Sequence, residues 1–360
     1  MSILEGPIGH SDLTLLEIFN STATSMPRAI SLESGRSKMS FKQLKRRALQ
    51  LAKRLNNQGI TVGDRVSIQL STGNSDLYVA ILGVLFSGAA YVPVDAEDSE
   101  RRLREIQVAA AVSAHIGEDG IEFFESRKPN TIQPGPGDDA WVIFTSGSTG
   151  VPKGVAVTHG SAANLVRAEQ ELFCQNNPLG PKTRVAATLS PAFDASIEEM
   201  WLAWSNGATL VPIDRRALTS GPDLAIELRH NDIDVLSTVP SLAYFLCGED
   251  LGRMRLLILG GEAVSSELAA GLLSPEREVW NTYGPTEATI ICTASLLEKD
   301  KPITIGAPIA GTSVAVVDSD GYPVPLGGEG ELVIFGRGLA RYLDDEADSL
   351  KFRNLRHFGW

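Results

Sequence analysis

What most constrains this chain is a repeated alternation, running from Ser40 to Asn281, between helical segments and short continuous apolar runs. A continuous apolar run needs cover on both faces, which parallel sheets wrapped by helices provide. The first unit shows the pattern. Ser40 precedes FKQLKRRALQLAKRLNNQG, which reads as a helix with a Ser N-cap, an apolar face of Phe41, Leu44, Ala48, Leu51 and Leu55, and Gly59 placed to stop it. Expected next are a strand at Arg65–Leu70, a helix at Asp76–Ser87, a strand at Tyr91–Val94, a helix at Ser99–Val108 and a strand at Val112–Ile116. The longest apolar run, Val79 to Val94, is broken by Gly83, Ser87, Gly88 and Pro93 and falls short of the roughly 20 residues of a membrane span, so it reads as a buried helix entering a strand.

Lys128–Asp139 (KPNTIQPGPGDD) is rich in Pro and Gly and reads as a boundary. Beyond it the spacing predicts strands at Ala140–Phe144, Val155–Thr158, Arg184–Leu189, Ala208–Pro212, Asp234–Thr238, Arg255–Leu259 and Glu278–Asn281. Helices are expected between them at Ser161–Phe173, Ala195–Ser205, Asp223–Asn231, Ser241–Leu246 and Ser265–Leu273. From about Pro302 the pattern changes to short strands, Ser313–Asp318 and Glu331–Phe335, joined by Gly- and Pro-rich turns. The fold class expected is α/β, with two helix-covered, mainly parallel sheets and a small C-terminal β region. The expected divisions are 1–139, 140–301 and 302–360.

Lys plus Arg number 32 against 44 Asp plus Glu, a formal charge of −12, so nothing draws the chain generally to nucleic acid or anionic lipid. A local phosphate pocket stays open, because backbone N–H groups and one or two cations suffice inside an acidic protein. Cys174, Cys247 and Cys292 lie far apart without paired spacing, which argues against a zinc ribbon or disulfide framework and for a reducing, cytoplasmic setting. The N-terminal residues carry no secretory signal pattern.

Three segments carry chemistry. FTSGSTGVPKG, Phe144 to Gly154, follows an apolar strand and brings the hydroxyls of Thr145, Ser146, Ser148 and Thr149 together with Gly147, Gly150 and the charge of Lys153, the groups a polyphosphate needs. Pro152 stands where a P-loop would have its second glycine, so a P-loop ATPase is disfavoured. In FDASIEEM, Asp194 could cap a helix, with Glu198 and Glu199 as first-turn acids. Asp194 and Glu198 are also four apart, on one helix side with about 6 Å of axial separation, where two separated ammonium groups on one ligand would relieve their repulsion. NTYGPTEAT offers an aromatic plate at Tyr283, a hydroxyl at Thr286 and a carboxylate at Glu287 able to hold Mg2+ near phosphate. Between them LILGGEAVS runs a strand into a Gly260-Gly261 loop where a flat ring could approach backbone.

FTSGSTGVPKGVAVTH, AFDASIEEM, GGEAVS, NTYGPTEATI and GELVIFGRGLARYL stand in the order and spacing of the adenylation domains of nonribosomal peptide synthetases, members of the adenylate-forming superfamily, which the chain resembles over nearly its whole length. The resemblance implies ATP-dependent activation of an amino-acid carboxylate as an aminoacyl adenylate, with later loading onto the phosphopantetheine of a peptidyl carrier domain. It implies that Thr145 to Gly150 and Lys153 handle the β and γ phosphates, that Gly260, Gly261, Glu262, Asn281, Thr282 and Tyr283 surround the nucleotide, that Thr286 reaches the α phosphate and that Glu287 holds Mg2+. Thr286, Glu287 and Lys153 are the implied catalytic set. The chain ends at Trp360, ahead of the family's Tyr-Arg-Thr-Gly-Asp segment and the C-terminal lid with its catalytic lysine, so only the large N-terminal domain is expected.

By the same resemblance the amino acid lies among Asp194, Ala195, Glu198, Ser237, Ile258, Gly260, Thr282, Ile290 and Ile291, with Asp194 on the α-ammonium. A carboxylate in a small apolar pocket is costly unless a cation meets it, so Glu198 points to a basic side chain. Ala195 and Gly260 leave length, which suits lysine, and the chain looks most like the poly-ε-lysine synthetase type. Ornithine and 2,4-diaminobutyrate remain alternatives, as do a binding-only module and an acyl or aryl coenzyme A ligase, the last having no use for Asp194. Neither nucleic acid nor membrane contact is expected of this chain.

Overall fold

The computed structural model describes residues 2–9, 12–125, 127–145, 152–213 and 223–353. Among them, a nine-stranded sheet runs in the order β16 (Ala307–Pro308), β15 (Thr293–Leu296), β14 (Glu278–Tyr283), β13 (Leu256–Leu259), β12 (Val235–Thr238), β10 (Arg184–Ala187), β11 (Thr209–Pro212), β2 (Ile30–Ser34) and β3 (Ser37–Ser40). A seven-stranded sheet runs β19 (Arg341–Tyr342), β9 (Lys153–Thr158), β8 (Asp139–Thr145), β5 (Ala90–Pro93), β4 (Arg65–Ile68), β6 (Ala114–Gly117) and β7 (Gly120–Phe123). A three-stranded antiparallel sheet joins β1 (Ile3–Glu5), β17 (Thr312–Val317) and β18 (Glu331–Gly336). In both large sheets the central strands are parallel and antiparallel pairs lie at the edges.

The strands alternate burial into different cores. Inward faces of both large sheets, including Ile68, Tyr91, Trp141, Val185, Leu210 and Ile258, share one core with five helices: α1 (Leu15–Ser25), α2 (Phe41–Asn57), α3 (Ser75–Ser87), α5 (His159–Leu172) and α6 (Ala195–Ser205). The outer face of the nine-stranded sheet, with Leu236, Leu257 and Val279, packs against the helices Asp223–His230 and Ser266–Leu272. That of the seven-stranded sheet, with Val92 and Val142, packs against α4 (Glu100–Ala109). The result is five layers, α-β-α-β-α. Because the two sheets share the middle helices, their facing ends are held in fixed relation, which is what a site built from both requires.

Caps set several helix starts. Ser40 and Gln43 form a reciprocal capping box on α2, and Ser99 and Ser265 cap their helices through side-chain oxygens. The segment at Ser241 departs from the expected helix: it is a short α turn, Pro240–Ala243, tightening into a 3-10 turn, Tyr244–Leu246. Sheet membership also crosses the sequence divisions. β2 and β3 sit in the sheet built mainly from residues 184–308, whereas β8, β9 and β19 sit with β4 to β7.

Candidate active site

The parallel strands β10, β12, β13 and β14 end along one edge of the nine-stranded sheet, the place where open α/β sheets bind ligands. Register sets Ser237 of β12 beside Ile258 of β13, and Leu259 beside Asn281 of β14. Gly260 follows directly. A Cβ there would lie 2.8 Å from the Thr282 hydroxyl oxygen, so only glycine lets the two segments close up. Gly261 has a φ of +78°, a second position where a side chain would be strained.

α6 delivers three acids to this edge, all buried. The helix-cap reading of Asp194 is not met: its side chain makes no capping hydrogen bond and its own backbone is helical. Its carboxylate lies close to the Thr286 hydroxyl and the Ala195 amide, while burial, aided by the nearby charge of Glu287, pushes its pKa up. Glu198 is 2% exposed, lies close to Ser237, and is raised to about 7 by burial and by Asp194, while its Oε1 has no partner. Glu199 is the structural acid of the three. Its Oε1 accepts from the Thr188 amide and hydroxyl, both at 2.8 Å, and its Oε2 from the Leu189 amide, tying α6 to the end of β10.

The side expected from the sequence to meet phosphate draws on three stretches. Thr145 ends β8 and pairs across the hairpin with Lys153 at the start of β9. Ser146, Gly147, Ser148, Thr149 and Gly150, assigned to phosphate from the sequence, lie outside the described residues. Lys153 Nζ stands 5.4 Å from the centre of the Tyr342 ring, and the Tyr342 hydroxyl donates to Glu287 Oε1. Tyr342 lies in the GELVIFGRGLARYL segment, yet sequence reasoning assigns it no role. The segment stitches the site together: Gly338 O accepts from the Thr289 hydroxyl at 2.6 Å, the Ala340 amide donates to Glu287 O at 2.9 Å, and the Leu343 amide donates to Gly154 O at 2.9 Å.

On the nucleotide side, Tyr283 is 40% exposed, as a stacking plate needs to be. Asn281 is buried, and its side-chain amide already donates to Thr304 O at 2.8 Å. The Thr282 hydroxyl donates to Leu259 O. Both carboxylate oxygens of Glu262 are taken by the Ser241 amide and hydroxyl, so Glu262 shapes the loop rather than reaching out from it toward a nucleotide. Thr289 and Ile290 have φ of +56° and +70°. Left-handed backbone at a β-branched residue is strained by about 1–3 kcal/mol. Gly284 holds the turn in place, with no room for a Cβ against Ile290 O, and Ile290 and Ile291 are delivered buried beside the site.

Residues 19–343 match the model of the AMP-binding enzyme family. The chain belongs to that family. One of the proteins that make up the linear gramicidin synthase of Brevibacillus parabrevis is 37% identical over 92% of this chain and 7% of its own length. Delta-poly-L-ornithine synthetase of Acinetobacter baumannii is 33% identical over 91% of this chain and 25% of its own. A crystal structure of a four-domain nonribosomal peptide synthetase bound to AMP and glycine superposes with a TM-score of 0.86 at 29% identity, covering 98% of this chain and 28% of that one. The chain therefore spans a minor part of the curated relatives it matches. Its fold is that of the large N-terminal domain of adenylate-forming ligases, and the relatives place it among synthetase adenylation domains.

Mg2+ fits the donor set. Among the described residues no three His, Cys, Asp or Glu side chains gather as a metal cage. A hard cation here would take one carboxylate, Glu287, and complete its shell from phosphate and water, which is the habit of Mg2+. No helix among the described residues is long and apolar enough to cross a membrane.

Proposed function

We propose that this chain binds ATP and a basic amino acid, L-lysine first among them, and forms the aminoacyl adenylate that a peptidyl carrier domain then receives. A carboxylate oxygen of the amino acid attacks the α phosphorus of ATP, the bond to the bridging oxygen breaks, and pyrophosphate leaves. Mg2+ held by Glu287 would neutralise phosphate charge.

The observation that carries the reading is the closeness of the buried Asp194 carboxylate to the Thr286 hydroxyl. An α-ammonium paired with Asp194 puts the carboxylate on the same carbon next to the Thr286 hydroxyl, where an α phosphate would lie. Lys153, held over the Tyr342 ring, is the cation we assign to the departing β and γ phosphates. Such positioning with fixed charge supplies most of the catalysis available to a reaction of this kind.

Glu198 supports the choice of a basic side chain. A buried carboxylate with an open acceptor is unfavourable alone and favourable once an ammonium arrives. Ala195 and Gly260 leave length for lysine. Ornithine is the second reading, favoured by the relative that makes poly-L-ornithine. A coenzyme A ligase for simple acids would leave both Asp194 and Glu198 without a cation to meet them. Pyrophosphate release with ATP, Mg2+ and single amino acids, including ornithine and 2,4-diaminobutyrate, tests the assignment. Lysine should lead, and a neutral or acidic amino acid in first place would overturn it.

A further inference from the structure

Behind Glu198 lies a second acid. Glu169 of α5 is 3% exposed, and neither of its carboxylate oxygens has a hydrogen-bond partner. It lines one narrow interior gap together with Glu198, Ile197, Trp141 and Trp201, and the gap is too tight to admit water. Burial and the nearby Glu198 both raise the cost of ionising Glu169. Asp194, Glu198 and Glu169 thus form a line of carboxylates leading from the reacting end of the site into the core.

Two buried carboxylates with open acceptors are an expensive way to fill space, since an apolar pair of the same shape would serve packing better. The open acceptors are three: Oε1 of Glu198 and both oxygens of Glu169. A primary ammonium has three N–H donors and no acceptor. The gap is closed to water as it stands, so an ammonium of about water's size must part the side chains lining it to reach Glu169, and the flanking Trp141 and Trp201 rings suit a cation once it is there.

We propose that Glu169 and Glu198 together form the receptor for the substrate's distal ammonium, with Glu169 as a specificity-determining residue at the floor of the side-chain pocket. The inference rests on the reading of this site as an amino-acid adenylation pocket. It also explains a preference for length: a chain that reaches only Glu198 leaves Glu169 unpaired, so lysine is favoured over ornithine and ornithine over 2,4-diaminobutyrate.

The test is calorimetric titration of the purified chain with the lysyl, ornithyl and norleucyl sulfamoyl-adenosine analogues. Glu169→Gln should weaken the lysyl analogue by about tenfold or more, while norleucyl affinity stays within about threefold. Equal effects on lysyl and norleucyl analogues, or none on either, would make Glu169 a packing residue and overturn the proposal. A wild-type chain without preference for lysyl over norleucyl would instead sink the basic-substrate reading on which the proposal rests. If Glu169→Gln does not fold, the wild-type complex decides. An ammonium within hydrogen-bond distance of Glu169 supports the receptor, and one that stops at Glu198 with Glu169 unbonded contradicts it.

Discussion

Glu198 and Glu199 are adjacent, equally buried, and do opposite work. Glu199 has all its bonds made within the fold, whereas Glu198 keeps an acceptor unpaired. The difference has a pH signature. Burial raises Glu198 to about 7 from an ordinary 4.5, and Glu199 to about 8, with Asp194 and Glu169 as the other acids nearby. An acid with a raised native pKa binds its proton more tightly folded than unfolded, so these acids contribute most to the stability of the ligand-free chain at low pH. That contribution should be lost as pH climbs from about 4.5 through 7 to 8. Lysine affinity should run the other way, rising with pH as Glu198 ionises. Denaturant melts and lysine titrations across that window check both signs. In Glu198→Gln each slope should shrink between pH 4.5 and 7, and an unchanged affinity profile would remove Glu198 from the substrate.

At the scale of elements, two devices hold the site. The first is the anchoring of α6 by Glu199. Glu199→Ala strands the buried Thr188 hydroxyl and backbone amide, so it should destabilise the chain by about 1–3 kcal/mol in urea unfolding, while Glu199→Gln recovers part of the loss. The second is the β19 strap, whose Tyr342 links Glu287 to Lys153. A hydrogen bond to a charged group is worth about 1.5–3 kcal/mol, so Tyr342→Phe should raise the Mg2+ needed for half-maximal ATP binding by about tenfold. An unchanged Mg2+ titration would leave Tyr342 a packing residue.

These elements also show what is legible in the sequence. α2 can be read in full because its cap, apolar stripe and stopping glycine are all local. α6 has the bounds that its sequence predicts. β19 cannot be found, because a two-residue strand has no periodicity and exists only through its pairing with β9. The antiparallel β8–β9 hairpin is hidden for a related reason: both strands are continuous apolar runs, the same pattern that a parallel pair shows. Glu169 is readable in principle, since it occupies the apolar stripe of α5 that runs through Ala162, Leu165 and Val166, and an acid in that stripe signals either a partner or a ligand. The closeness of Asp194 to Thr286 is beyond reach of the sequence, being between segments that only the fold brings together.

For the whole molecule, the shared core is the functional fact. Thr145 and Lys153, which we assign to phosphate, belong to the seven-stranded sheet, and the proposed amino-acid pocket to the nine-stranded one, with α5 and α6 packed between them. A chain with a formal charge of −12 would repel both ATP and the carboxylate of an amino acid at long range, so recognition must rest on local groups in this seam. The two ammonium groups of the proposed substrate are the ligand groups for which the acidic interior is an advantage. The most direct test sets lysyl against norleucyl sulfamoyl-adenosine, two ligands of similar length differing in the terminal charge, by calorimetry on wild type and Glu198→Gln. The account predicts that wild type favours the lysyl analogue by at least about tenfold, and that Glu198→Gln loses most of that preference while norleucyl affinity holds. Equal affinities in wild type, or a lysyl preference that survives in Glu198→Gln, would contradict it.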